Sequence, residues 1–99
     1  MGFLSSLKEL FGGANVDYIE LMVNGALVVD VRSSQEFKGG HVKGSKNIPL
    51  PVLANKPKAR NGKVVILVCK SGGRAGSAKG ILTREGIEAY NTGAWQNLT

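Results

Sequence analysis

The sequence predicts an α/β fold built on a parallel sheet, and three observations point to it. Two apolar runs, Ala26-Leu27-Val28-Val29-Asp30-Val31 and Val64-Val65-Ile66-Leu67-Val68, have the length and β-branched content of strands buried on both faces. Strand-like and helix-like stretches alternate along the chain, which is the rhythm of successive βαβ units. The second run ends on the lone cysteine, Cys69, and passes through the glycine-rich Lys70-Ser71-Gly72-Gly73 to Arg74, where a helix can begin. Open α/β sheets bind ligands at such junctions, at the carboxyl ends of their strands.

Each element follows in order. Phe3, Leu4, Leu7, Leu10 and Phe11 recur at helical spacing until Gly12-Gly13, predicting an N-terminal amphipathic helix over residues 1–13. That helix is expected to pack on the domain or on a partner. Its polar face has almost no bases, which argues against a membrane-surface role, and the loose myristoylation pattern at Met1-Gly2 is discounted. The domain proper is expected over residues 14–99. A short first strand is expected at 15–17, with Asp17 capping a helix through Leu21 and Met22 that ends at Asn24-Gly25. The second strand, 26–31, ends with Asp30 and Arg32 at its carboxyl edge. Ser33 or Ser34 caps a helical turn bearing Glu36 and Phe37, stopped by Gly39-Gly40. Asn47-Ile48-Pro49-Leu50 reads as a brief strand, and Pro51 suits the first turn of a short helix over 51–58 that Pro57 limits. The central strand is 63–68. A helix over 74–84 places Ala75, Ala78, Ile81 and Leu82 on one face and stops at Gly86. The last strand is expected at 87–90, followed by a turn at Thr92-Gly93, with Trp95 covering the core.

Composition bounds the function. With 99 residues, 20% charged and 42% hydrophobic, the chain suits one ordinary globular domain. A single cysteine makes no internal disulfide, so a reducing, cytoplasmic setting is expected. No apolar stretch approaches the roughly 20 residues of a membrane-spanning helix, and residues 1–13 lack a signal-peptide core. The net charge of +6 is unevenly placed: all seven acids lie outside residues 37–84 and eleven of the thirteen bases lie inside. The plain reading is a solvated basic surface; the sharper one is a positive field that steers small anions. Nucleic acid is not the expected partner, because the bases are spaced singly and the six aromatics form no stacking pattern.

Cys69 is the candidate nucleophile. An isolated cysteine is often an inert core hydrophobe, but this one sits at the hinge between a buried strand and a glycine-rich loop. The backbone N–H groups of Lys70, Ser71, Gly72, Gly73 and Arg74 can curl around an anion, backed by a helix dipole and by the charges of Lys70 and Arg74. That setting favours a thiolate, the reactive form of cysteine.

At Cys69 to Arg74 the sequence resembles the rhodanese sulfurtransferase family, and the resemblance extends over residues 16–95. Val29-Asp30-Val31-Arg32 looks like the family's aspartate–hydrophobic–arginine motif, with Glu36 and Phe37 at the expected distance. The stretch from Gly40-His41 to Asn47-Ile48-Pro49 is similar to its glycine–histidine and asparagine–isoleucine–proline element, and Glu85-Gly86 to the helix end beyond the loop. The resemblance implies a three-layer α/β domain whose central, mostly parallel five-stranded sheet is flanked by helices. It implies that Cys69 takes the sulfane sulfur of thiosulfate or a similar small anionic donor and holds it as a persulfide. A thiol or cyanide, or a protein sulfur acceptor, then removes it, because the chain has no second cysteine to resolve it. No cofactor, metal, nucleic acid or membrane is called for, and nothing demands more than a monomer. Arg74 would anchor the donor's anionic group and hold the loop, and Lys70 would steer and bind the donor.

Four residues are expected in support. Asp30 and Arg32 read as a structural ion pair or loop anchor at the strand end. Glu36 reads as a partner of Arg32 or of a nearby backbone N–H. His41 is expected to order the turn at residues 40–44 rather than to act on the cysteine. Two other functions stand beside the first. A non-catalytic sulfur-carrier or protein-binding module would look the same in sequence. A cysteine phosphatase or arsenate reductase is disfavoured, because those families place five residues between cysteine and arginine where this chain has four, and the loop offers no general acid.

Overall fold

The computed structural model describes residues 16–57 and 62–98. In chain order the elements are α1 (Tyr18–Val23), β1 (Leu27–Asp30), α2 (Ser34–Lys38), β2 (Lys46–Asn47), α3 (Leu50–Asn55), β3 (Val65–Cys69), α4 (Gly73–Arg84) and β4 (Ala89–Ala94), closed by a 3-10 turn at Trp95–Leu98. The strands form one sheet in the order β2-β1-β3-β4, every neighbouring pair parallel. The two apolar runs supply the two inner strands. All five residues of β3 are buried, as a strand covered on both faces must be.

Side-chain alternation along β1 and β3 divides the core into two layers. Val29, Val65, Leu67 and Cys69 point to one face, where Leu53 of α3 and Ala75, Ala78 and Leu82 of α4 cover them. Val28 and Ile66 point to the other, against Val42, α1 residues Tyr18, Leu21 and Met22, and the closing turn through Trp95 and Leu98. Burying each large aliphatic side chain contributes about 1.5–3 kcal/mol, so the inner strands fix the frame that carries the loops. Parallel pairing aligns Asp30 with Val68, which brings the ends of β1 and β3 to one edge of the sheet.

The ends of the elements follow local chemistry. Asp17 caps α1 by accepting the Glu20 N–H at 3.0 Å. Ser33 and Glu36 form a reciprocal capping box at the start of α2. Pro51 sits in the first turn of α3, where its missing N–H costs nothing.

Several expectations are corrected. Among the described residues the sheet has four strands rather than five: Val16 and Asp17 are irregular, while Asn15 and the expected helix over 1–13 lie outside the described residues. The brief strand expected at 47–50 is Lys46–Asn47, because Pro49 has no N–H to continue a ladder; Ile48 and Leu50 still donate to Asp30 and Val31 carbonyls at 2.9 and 3.1 Å. The helix expected at 51–58 is Leu50–Asn55, and Lys58 lies outside the described residues. The central strand expected at 63–68 is Val65–Cys69, so the cysteine itself closes the strand. The last strand runs on to Ala94 through the Thr92-Gly93 pair expected to turn. Between Leu67↔Asn91 and Cys69↔Ala94 the register shifts by one residue, so β4 bulges there instead of ending. Among the described residues, no helix is long and apolar enough to cross a membrane.

Candidate active site

β3 delivers Cys69 into the core layer beneath α4 with 1% of its surface exposed. The chain then turns through Lys70-Ser71-Gly72 into α4. Gly72 adopts φ 104°, and a Cβ there would meet the Gly93 Cα at 3.4 Å, so conformation and close approach both call for glycine. In this geometry the Gly72 N–H donates to Cys69 Sγ at 2.8 Å. The Gly72 carbonyl accepts from Gly76 N–H at 2.9 Å and so opens α4, whose positive end faces the loop. Lys70, Ser71 and Gly73 are exposed and form the outer lip of the loop that follows the buried cysteine.

Arg74, in the first turn of α4, reaches across to α2. Its Nη1 and Nη2 donate to the two Glu36 carboxylate oxygens at 2.7 and 3.0 Å, a fork-on-fork pair that ties the loop to α2. Of the two partners expected for Glu36, the nearby backbone N–H is met by Ser33, while the arginine that binds it is Arg74 and not Arg32. The Arg74 hydrogen bonds, then those of the Ser33 amide and hydroxyl, hold the Glu36 carboxyl down at about 2. The hydrogen bonds to Glu36, and its charge after them, hold Arg74 firmly protonated. Of the two roles expected of Arg74, the pairing with Glu36 supplies the geometry for holding the loop.

Arg32 belongs to a second, buried pair. Asp30 is fully buried and Arg32 is 5% exposed. The Arg32 Nε and Nη2 donate to the Asp30 carboxylate at 2.7–3.0 Å, and the Arg32 N–H adds a further bond to Oδ1. Nη2 also donates to the Gly40 carbonyl at 2.6 Å, and the guanidinium lies 5.0 Å from the Trp95 ring centre. Gly40 must be glycine here, because a Cβ would come within 3.0 Å of the Trp95 ring. Asn47 Nδ2 donates to the carbonyls of Asp30 and Arg32, fixing the strand end from the β2 side. His41 points elsewhere: its ring stacks on Phe37 at 3.7 Å and its Nδ1 lies 2.7 Å from the Phe37 carbonyl oxygen. It thus holds the 40–44 turn against α2.

Sequence reasoning missed two residues. Asn91 donates from Nδ2 to the Gly72 carbonyl at 3.0 Å and accepts the Gly93 N–H at 2.8 Å. Thr92 Oγ1 donates to the Leu67 carbonyl at 3.2 Å, closing the gap left by the bulge. The available signal was a pair of side-chain hydrogen-bonding residues directly before a glycine, a composition that marks local backbone bonding as readily as a turn.

Residues 5–97 match the Rhodanese-like domain family. The chain is 43% identical over 68 residues to the uncharacterised protein YqhL of Bacillus subtilis, covering 67% of this chain and 54% of that protein. It therefore spans about half the length of that curated relative. Among solved structures, a rhodanese with anions from E. coli is 26% identical with a TM-score of 0.68, covering 76% of this chain and 93% of that one. Reduced CoADR-RHD from Bacillus anthracis is 31% identical with a TM-score of 0.70, covering 80% of this chain and 14% of that one.

Proposed function

The chain belongs to the Rhodanese-like domain family, and from that premise we propose that it is a sulfurtransferase working through a persulfide on Cys69. The observation that carries the proposal is the Gly72 N–H aimed at Cys69 Sγ from a left-handed turn. An amide donor fixed in advance beside a sulfur stabilises negative charge there without reorganisation.

The Cys69 thiolate attacks the outer sulfur of thiosulfate or a similar small anionic donor. A bond forms between Sγ and that sulfur, the donor's own S–S bond breaks, and sulfite leaves with the electron pair. A thiol or cyanide then attacks the outer persulfide sulfur and returns Cys69 to its thiolate. This is two-step covalent catalysis. Lys70, exposed at the lip and close to the nucleophile in sequence, steers and binds the anionic donor. Arg74 holds the loop through Glu36 and adds positive potential. Burial of the sulfur favours donors small enough to enter over Lys70 and Ser71.

The test is intact mass. Thiosulfate should add one sulfur atom to the protein and nothing to Cys69→Ser. Steady turnover of thiosulfate and cyanide identifies the enzyme, whereas a persulfide formed without turnover identifies a sulfur carrier. Hydrolysis of an aryl phosphate with no persulfide overturns the proposal.

A further inference from the structure

We infer that Asn91 is a positioning residue for the persulfide loop, acting on the sulfur through the Gly72 peptide. Gly72 meets Cys69 with its N–H and Asn91 with its C=O. The direction of the one group therefore depends on the hold upon the other. That carbonyl receives a second bond from Gly76, but Gly76 belongs to the helix that Gly72 itself caps. Asn91 is the anchor from outside, standing on β4, two registers before the cysteine in the pairing with β3.

The sheet is shaped to allow this. The bulge after Asn91 and the Thr92 hydroxyl on the Leu67 carbonyl hold the strand out of regular register beside the loop. The Asn91 carbonyl oxygen is committed to the Gly93 N–H, and the Gly93 Cα is itself the atom that packs against Gly72. One primary amide thus clamps both sides of that contact, donating to the loop and accepting from the strand. Only a side chain with a donor and an acceptor at this reach does both. Aspartate keeps the shape and the bond to Gly93 but sets a carboxylate against the Gly72 carbonyl.

The inference rests on the proposed sulfurtransferase reading but is tested apart from it. Wild type, Asn91→Ala, Asn91→Asp and, as a control, Asn97→Ala are compared for thermal unfolding, for the rate of Cys69 alkylation by iodoacetamide, and for persulfide formation over a range of thiosulfate concentrations. Asn97 donates to the Thr92 carbonyl of the same strand at 2.8 Å without touching the loop. Both Asn91 variants should lose about tenfold or more in the maximal rate of persulfide formation with little change in half-saturating thiosulfate, as small misplacements of reacting groups do. Their alkylation rates should change too, while Asn97→Ala matches wild type in both assays. Wild-type alkylation and persulfide rates in folded Asn91→Ala and Asn91→Asp overturn the inference, as does a loss no larger than the unfolded fraction explains. If wild type forms no persulfide, the sulfurtransferase reading fails and alkylation alone decides the role of Asn91: an altered rate in both variants supports it, and unchanged rates overturn it.

Discussion

The molecule holds two arginine–carboxylate pairs of the same chemistry, and their surroundings give them different work. Arg32–Asp30 lies under the carboxyl edge of the sheet with its side chains 6% and 0% exposed; Arg74–Glu36 spans the rim with 38% and 34% exposed. The buried pair is saturated with further partners: an Arg32 N–H, the Gly40 carbonyl and the Trp95 ring. Its energy is a matter of folding, because each charge left alone in that setting is costly. The rim pair is wet, so its Coulomb energy adds little to stability. What it adds is direction, joining two elements 38 residues apart across the mouth of the site. Burial decides whether an ion pair holds the fold or aims the loop.

The largest effect is expected at the buried pair. Asp30→Asn nearly preserves shape but strands the Arg32 guanidinium, and such losses cost about 3–5 kcal/mol. A domain of this size has about 5–15 kcal/mol in all. Urea titration should therefore show a large fall in midpoint, and a midpoint within error of wild type would remove the distinction between the pairs.

Arg74→Ala comes next, with the opposite signature. Persulfide formation should fall about a hundredfold, since the loop loses its tie to α2 and the site loses a fixed cation. The urea midpoint should move little. Arg74→Lys should rescue only part of the rate, because an ammonium makes no planar two-point contact with Glu36. Full activity in Arg74→Lys would mean that charge alone matters and that the fork geometry does not.

These two pairs also mark how far the sequence could be read. The Asp30–Arg32 bond was legible because its partners stand two apart at the end of a recognisable strand. So was the loop, whose cysteine, glycines and arginine are contiguous. Glu36 was assigned partly to Arg32, its neighbour in sequence, because nothing local announces a partner on α4. Asn91 was hidden for the same reason, and also because its strand was expected to end at Tyr90. A bulge is set by packing against β3 and leaves only a faint composition signal. Strand count went the same way: the additional strand was expected at 15–17, and so short a strand is defined by a neighbour to pair with rather than by its own propensity, whereas Val16 and Asp17 are irregular. Contacts between distant segments carry the part of the site that composition and spacing could not supply.

The finest contrast is in pH. Glu36 is lowered from 4.5 to about 2, by the Arg74 hydrogen bonds first and the Ser33 amide and hydroxyl after them. A carboxylate whose folded pKa lies below its unfolded one contributes stability that is fully present above the unfolded value and is lost as pH falls through the folded one. Glu36→Gln keeps the size of the side chain and cannot titrate. The wild-type advantage in melting temperature over Glu36→Gln should thus be small and constant from neutral pH down to about 5. It should then shrink between 4.5 and about 2. A gap already closing at pH 6, or one unchanged at pH 2, would show that Glu36 does not owe its ionisation to Arg74. The rim pair would then lose its claim to hold the loop in a charged, fixed geometry at every pH where the cysteine is expected to react.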